Sequence, residues 1–341
     1  MKKVSRIKIL HLIHNMRVGG AQRTLYNIVS GLSDFEHIII TYAIDAAYSE
    51  KIAVLSNVKC VVVSHWRKIF MVLKEQYYDV VHYHWWPQMD IWYTFFKNQH
   101  KPIIVTLQEQ CSPPEYNDVY YIAGSNNNLQ YISHMKNKQV IYLGVDTNSI
   151  VEKQEDNNKT LLVIGRVSTI IESKIPEDLF EVFSGMEISS KKLLFFVCGT
   201  GDAEFIDYLE KEKMNYPNLN LIINTEPYVA DKYSKMDYFV YWLPEGSTES
   251  FGLVIVEAMF SGVPVIAQRL GAIPEIIEHG ESGFLFDEPT EIQLYIKKME
   301  EDSVIRNTII QNAKQRAAKM FSSDIMIKNY RNLYEKVFSI R

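Results

Sequence analysis

The segment Glu245-Gly-Ser-Thr-Glu249-Ser-Phe-Gly252-Leu-Val-Ile-Val-Glu257-Ala-Met-Phe-Ser-Gly262-Val-Pro-Val-Ile266 decides the architecture of the C-terminal half. It starts as a polar loop leaving a strand that ends near Leu243. At Gly252 it turns into a periodic apolar run that reads as a helix, and it then passes into a strand from Val263 to Ala267. Strand, loop, helix and strand in that order make one βα unit of a parallel sheet. A helix opening directly out of a strand-end loop offers free backbone N–H groups and a positive dipole end, which suit a phosphate. Glu249 stands in the loop and Glu257 about two turns along the helix, at ~3.6 residues per turn. Two carboxylates so placed can address different hydroxyls of one extended ligand. Taken alone, they have a second reading: Glu249 caps the helix and Glu257 is a solvated surface residue. Glu257, however, lies between Val254-Ile-Val256 and Ala258-Met-Phe260, a mostly apolar context in which a carboxylate needs a partner.

The same rhythm extends outward in both directions. Upstream of the segment, the strand-like runs are Thr160 to Ile164, Lys192 to Cys198, Leu219 to Ile223 and Tyr238 to Tyr241; downstream comes Gly283 to Phe286. The N-terminal half repeats the pattern at Ile7 to Ile13, His37 to Tyr42, Val58 to Val63, Val80 to Tyr83, Pro102 to Leu107, Val119 to Ala123 and Val140 to Leu143, with a helix from Ala21 to Leu32. Between the halves, Glu152 to Lys159 is polar throughout and reads as a linker. The expectation is an α/β protein of two Rossmann-like, doubly wound parallel-sheet domains facing a central cleft. They span residues 1–151 and 160–323, joined by 152–159 and followed by a C-terminal helix at 324–341 that packs back toward the first domain.

Composition excludes several classes. With 47% hydrophobic and 23% charged residues, 341 residues are globular rather than disordered or repetitive. Residues 1–150 hold 15 Lys+Arg against 11 Asp+Glu, so the net charge of -5 divides into a mildly basic first half and an acidic second half. No concentrated basic stripe appears, which argues against a nucleic-acid partner. Cys60, Cys111 and Cys198 are scattered and odd in number, so neither a disulfide framework nor a zinc site is expected, and a cytoplasmic setting fits best. No run approaches the ~18 apolar residues of a membrane span.

With these residues in place, the chain resembles the retaining nucleotide-sugar glycosyltransferases of family 4, which have the GT-B arrangement of two Rossmann-like domains. The hallmark Glu-x7-Glu is matched by Glu249 and Glu257, and the similarity continues through Gly271-Ala-Ile-Pro-Glu275-Ile-Ile and Gly280-Glu-Ser-Gly283-Phe-Leu. The resemblance implies that Glu249, with the amides of Ser250, Phe251 and Gly252, holds the donor sugar. Glu257 would accept from the ribose hydroxyls, and the amides of Leu253 and Val254 would meet the diphosphate. Gly165-Arg166 and Lys174 resemble the family's cation pair for the diphosphate leaving group, whose growing charge such groups stabilise. The spacing here is longer, and Lys174-Ile-Pro stands where the family has Lys-Gly, so a surface lysine before a helix starting near Pro176 remains the alternative. Gly199-Thr-Gly201 is too short for a dinucleotide fingerprint; in the family it is the turn lining the nucleotide pocket, and Thr225 to Val229 would read the base.

The first half matches more thinly. Val18-Gly19-Gly20-Ala21-Gln22-Arg23 is similar to the family's Gly-Gly loop beside the reacting centre, and reads equally as a tight strand-to-helix turn. His84 has two readings, an acceptor-side cleft residue or a satisfied core histidine. Gln108 replaces a usual His; it cannot move a proton near pH 7 but keeps a backbone carbonyl and an amide. The stretch Trp66-Arg-Lys-Ile-Phe-Met-Val-Leu-Lys74 can form either an interfacial helix touching a membrane or a core-packing helix with a solvated face. The resemblance implies a retaining hexosyltransferase using a UDP-sugar donor and a glycan or lipid-linked acceptor in cell-surface polysaccharide synthesis. No cofactor is expected, and no metal, because the chain has no Asp-x-Asp. A sugar-nucleotide epimerase and a silent nucleotide-sugar-binding subunit are the competing readings.

Overall fold

The computed structural model describes residues 6–17, 19–85, 90–97, 99–107, 110, 112–153, 161–188, 192–225 and 231–339. Gln108, Cys111, positions 154–159 of the expected linker and Glu226 to Val229 of the expected base-reading segment lie outside these residues. The strands in chain order are β1 Lys8–Leu12, β2 Asn15–Met16, β3 Glu36–Thr41, β4 Ala43–Ile44, β5 Val58–Val62, β6 Val80–Trp85, β7 Ile103–Leu107, β8 Val119–Ala123 and β9 Lys138–Val140. They continue as β10 Leu161–Val167, β11 Lys192–Cys198, β12 Leu221–Asn224, β13 Tyr238–Tyr241, β14 Val265–Gln268 and β15 Phe284–Phe286. The chain divides into two compact units, Met1–Gly144 with Ser323–Arg341 and Val145–Ser322. The passage from the first unit to the second therefore falls at Gly144–Val145, ahead of the polar run 152–159.

Unit 1 is a seven-stranded sheet in the order β5-β3-β1-β6-β7-β8-β9, with β2 and β4 as a separate pair. Its strand pairs are parallel throughout. Strands covered on both faces read as near-continuous apolar runs, and the inner strands β7 (IIVTL) and β8 (VYYIA) do, whereas the edge strands β5 and β9 carry Lys59, Lys138 and Gln139. Leu10, Leu12, Val81 and Tyr83 point into one core. Their alternates Ile9, Val80, Ile104 and Ile122 point into another, which the helix Ser323–Ser339 closes with Met326, Tyr330, Leu333, Tyr334 and Val337. Arg331 of that helix forks onto both carboxylate oxygens of Asp34 at 2.6 and 2.7 Å. Gly31 lets the helix approach, since a Cβ there would lie 2.4 Å from Ile327 Cδ1.

Unit 2 is a six-stranded parallel sheet in the order β12-β11-β10-β13-β14-β15. This is the doubly wound 3-2-1-4-5-6 order. The chain reverses direction across the sheet between β10 and β13, and at such a switch the loops leaving the two strands diverge and open a crevice at their carboxyl ends. Both units are thus parallel α/β sheets, as the sequence pattern implies.

Local boundaries differ for identifiable reasons. The last strand of unit 1 is Lys138–Val140 rather than Val140 to Leu143, because pairing with β8 ends at Ala123↔Val140. β10 runs on to Val167, paired with β11 as far as Val167↔Cys198, which puts Gly165 and Arg166 inside the strand. The helix expected near Pro176 is Leu179–Ser184. The helix Trp66–Glu75 buries Ile69 and Leu73 in the unit 1 core and turns Arg67, Lys68, Met71 and Lys74 outward. Neither Cys60 nor Cys198 is in a disulfide. Among the described residues, no helix is long and apolar enough to cross a membrane.

Candidate functional site

In unit 2 the sequence-marked residues converge on the switch between β10 and β13. Arg166 comes from the end of β10, Lys174 from the loop after it, and Glu249 from the loop after β13. The helix Leu253–Phe260 follows that loop, with Gly252 at its N-cap in the left-handed region at φ 97°. Among the described residues no side chain caps the helix, which leaves its first amides, those of Leu253 and Val254, as candidate donors for an anion.

Lys174 Nζ donates to Glu249 Oε2 at 3.2 Å, and Tyr241 Oη donates to the same oxygen at 2.7 Å. The Phe251 amide approaches Glu249 Oε1 at 3.5 Å. Glu249 is anchored through its backbone too, because its carbonyl accepts from the Ala272 amide at 3.0 Å. Gly271 makes that contact possible: it adopts φ +56° and a Cβ there would lie 2.3 Å from the Glu249 carbonyl oxygen. The Gly271-Ala272 pair therefore fixes the position of the loop carboxylate.

Arg166 differs from its sequence reading. It is only 1% exposed. Its Nη1 donates to the Trp242 carbonyl at 2.6 Å, its Nη2 to the Lys174 carbonyl and its Nε to Ser168 Oγ at 3.4 Å. The guanidinium lies over the Tyr241 ring, 4.6 Å from its centroid. Burial lowers its pKa to about 10, while Tyr241 and Glu249 oppose the shift, so it stays charged at neutral pH. In this state the guanidinium has no face open to a diphosphate; it holds the loop that carries Lys174.

Glu257 is 5% exposed and has the partner its apolar context requires: Tyr233 Oη donates to its Oε2 at 2.6 Å. The neighbouring glycines answer to packing. A Cβ on Gly165 would meet Met236 Sδ at 2.1 Å, one on Gly199 the Ser168 carbonyl oxygen at 1.8 Å, and one on Gly201 the Ile170 carbonyl oxygen at 2.1 Å. The turn 199–201 thereby lies against the loop after β10, cross-linked by Ile170 N–H to the Thr200 carbonyl at 2.9 Å and Asp202 N–H to the Ile170 carbonyl at 3.1 Å.

The profile of the family described as glycosyl transferases group 1 matches residues 146–316, which is unit 2 almost entirely. The chain belongs to that family. Among relatives of this group 1 protein, N-acetyl-alpha-D-glucosaminyl L-malate synthase of Bacillus anthracis is 25% identical over 65% of this chain and 57% of its own length. The capsular polysaccharide biosynthesis glycosyltransferase CapM of Staphylococcus aureus is 27% identical over 62% of this chain and 53% of its own. The chain thus spans little more than half the length of either. The crystal structure of Anabaena Alr3699/HepE in complex with UDP and glucose superposes with a TM-score of 0.81, covering 97% of this chain and all of that one, at 19% identity. Its likeness establishes the fold.

Unit 1 of this group 1 family member holds the other marked residues. Gly19 is the N-cap of the helix Gly20–Gly31, and the Gln22 side chain folds over it to donate to the Asn15 carbonyl at 3.1 Å. His84 is 1% exposed, so no part of it is open to an acceptor in this state. It belongs to a buried cluster with His11, His37 and His82 that the sequence reading misses.

The bonds of that cluster fix its protons. His37 Nε2 lies 3.2 Å from the Leu32 carbonyl, which can only accept. His37 Nδ1 must then accept from His11 Nε2 at 3.0 Å, and His11 Nδ1 from His84 Nε2 at 3.3 Å. His82 bonds Tyr334 Oη at 2.6 Å and Thr106 Oγ1 at 2.7 Å. Burial is the leading cause that pulls all four below the ordinary histidine pKa, His37 to about 4 and His84 to about 3. His11, His82 and His84 bring nitrogens within 4.8 Å of one another, the spacing of a metal trio. Both nitrogens of His11 and of His82 are already hydrogen-bonded, and the trio includes no carboxylate to offset a dication in this buried setting, so the arrangement fits neutral imidazoles.

Proposed function

We propose that this protein is a retaining, metal-independent glycosyltransferase. It moves a hexose-type sugar from a nucleoside diphosphate donor, a UDP-sugar, to a glycan or lipid-linked acceptor in polysaccharide or glycolipid synthesis. The observation that carries the reading is the convergence of Lys174, Glu249 and an uncapped helix N-terminus on the β10–β13 switch of a group 1 unit. The diphosphate sits against the Leu253 and Val254 amides and Lys174, Glu257 accepts from the ribose, and Glu249 with the amides after it takes the sugar. Arg166 holds the Lys174 loop from behind and adds its positive field to the departing charge without touching it. Charge on the leaving group grows as the glycosidic bond breaks, so cations and amides aimed there act most strongly in the transition state. The acceptor attacks from the face the diphosphate leaves, and the leaving phosphate oxygen takes the proton. With no Asp-x-Asp in the chain, these groups do the work of a divalent ion. Contact with a bilayer draws its support from the exposed Met71 beside Arg67, Lys68 and Lys74.

The test is a thermal-shift screen of nucleotides and nucleotide sugars, followed by turnover. A bound donor at about 100 times its dissociation constant adds about 2.7 kcal/mol to stability. NMR of the product formed with and without EDTA should show an α-linkage from an α-linked donor in both reactions. A β-linked product, or activity lost with EDTA and restored by Mg²⁺ or Mn²⁺, overturns the mechanism. Binding without turnover would favour a silent nucleotide-sugar subunit, the reading to which Gln108 in place of a histidine points.

A further inference from the structure

Two donors meet on one oxygen of Glu249, and they differ in how firmly they are held. Lys174 belongs to the irregular loop after β10 and its side chain is 33% exposed. Tyr241 is the last residue of β13, buried beneath the Arg166 guanidinium and stacked on Phe239 at 6.2 Å. One donor can therefore move to another partner in solvent, and the other cannot.

The cations at this switch are also satisfied internally. Arg166 is bonded to two carbonyls, and Lys174 is bonded to Glu249. Glu249 occupies Lys174 in the way a ligand anion would. We propose that Tyr241 is the positioning residue that keeps the Glu249 carboxylate aimed at the donor sugar while Lys174 exchanges Glu249 for the donor's diphosphate. The inference rests on the donor-site reading above.

The physical argument is one of competition. A diphosphate carries more charge than a single carboxylate and arrives beside the free amides of the helix, so it outcompetes Glu249 for an ammonium on an accessible loop. When Lys174 leaves, Glu249 loses its counter-charge and one of its two side-chain donors. The Tyr241 hydroxyl then remains on Oε2, and the Ala272 amide still holds the backbone. Burial and the neighbouring carboxylate raise the Tyr241 pKa well above its ordinary value, so the phenol keeps the proton it donates. The remaining lone pairs of Glu249 become available to sugar hydroxyls once the diphosphate is in place, and phosphate and sugar recognition are coupled through one carboxylate.

Calorimetric titration of the whole chain with UDP and with UDP-glucose tests this, using wild type, Glu249→Gln and Tyr241→Phe, with the thermal midpoint of each recorded. Glu249→Gln removes the competitor for Lys174 and should bind UDP about two- to fivefold tighter than wild type, the scale of a partly exposed ion pair, while losing its preference for UDP-glucose. Tyr241→Phe keeps the ring under Arg166 and should bind UDP within about twofold of wild type. Its affinity for UDP-glucose should fall roughly tenfold or more, the scale of one hydrogen bond to a charged group. An unchanged ratio of the two affinities in Tyr241→Phe, with or without a lower midpoint, would show that the residue only packs. Weaker UDP binding by Glu249→Gln would overturn the exchange. Wild type binding neither ligand would instead refute the donor-site reading itself.

Discussion

Unit 2 buries charge at the carboxyl ends of β10 and β13, where Arg166 is held by carbonyls and Glu249 by Lys174 and Tyr241. Unit 1 buries neutral rings under the helix Ser323–Ser339, where histidines pass hydrogen bonds from one to the next. Both regions satisfy buried polar groups, but by opposite means. Ions in unit 2 are offset by partners of opposite charge or by carbonyl dipoles. Imidazoles in unit 1 are kept unprotonated by burial, so their stability depends on pH. A site built for an anionic ligand needs the first arrangement. A packed interior that must join two elements can use the second.

The sharpest way to break this contrast is acid. The four histidines are depressed in the folded state, His37 to about 4 and His84 to about 3. The unfolded chain takes up their protons below the ordinary value of about 6.5 and the folded chain does not. Their stabilising effect is thus complete above pH 6.5 and is lost as pH falls toward the folded values. At up to about 1.4 kcal/mol per pH unit for each ring, unit 1 should lose roughly 5 kcal/mol between pH 6 and pH 5. Hydrogen exchange, corrected for its intrinsic pH dependence, should accelerate in β1 and β6 across that interval and leave β10 and β13 little changed. Equal behaviour of the two sheets would mean that the histidines are not held neutral.

Arg166→Ala probes the other side. It leaves the Trp242 and Lys174 carbonyls without their Arg166 donor and opens a cavity over the Tyr241 ring. A loss of about 3–5 kcal/mol is expected, together with a fall in turnover of two or more orders of magnitude. A variant with an unshifted thermal midpoint would show that the guanidinium is not structural.

The smallest effect separates two glycines that share a left-handed backbone. Gly246, at φ +76°, has nothing within 4 Å of a Cβ, whereas at Gly271 the Glu249 carbonyl oxygen is 2.3 Å away. Gly246→Ala should cost about 1 kcal/mol of backbone strain, and Gly271→Ala about 2–3 kcal/mol. Only the second should weaken nucleotide-sugar binding. Equal binding losses in both would disconnect the Gly271 contact from Glu249.

What the sequence reveals follows the same division. The alternation of apolar strands and helices is local, so the parallel sheets can be read from it; Glu249 and Glu257 lie in a motif of fixed spacing, and Arg166 and Lys174 are marked by residue type at a strand end although their spacing departs from the family's. Tyr241 is legible only as the end of a strand, because its bond to Glu249 depends on how the next loop folds back. Tyr233 reaches Glu257 from 24 positions upstream, with no local signal. The histidine cluster needs pairing information: His11 and His82 are register partners across β1 and β6, and His84 meets Thr106 across β6 and β7. The alternation of His82 and His84 on one strand hints at a shared face, but nothing in the spacing brings His11, His37 and the distant Tyr334 to it. Arg166 shows the reverse limit, since its type and place are legible and its burial is not.

The helix Ser323–Ser339 that seals the histidines has a consequence for the order of events during synthesis. Unit 2 is one continuous segment, Val145–Ser322, inserted between the body of unit 1 and its last helix. A ribosome adding about 5–20 residues per second needs about ten to forty seconds to traverse that segment. During that interval the nascent first unit lacks Tyr330 and Tyr334, and the face carrying His11, His82 and Ile104 is open to water and to chaperones. The second unit has all its strands before the first has its lid, so it can fold first although it is made later.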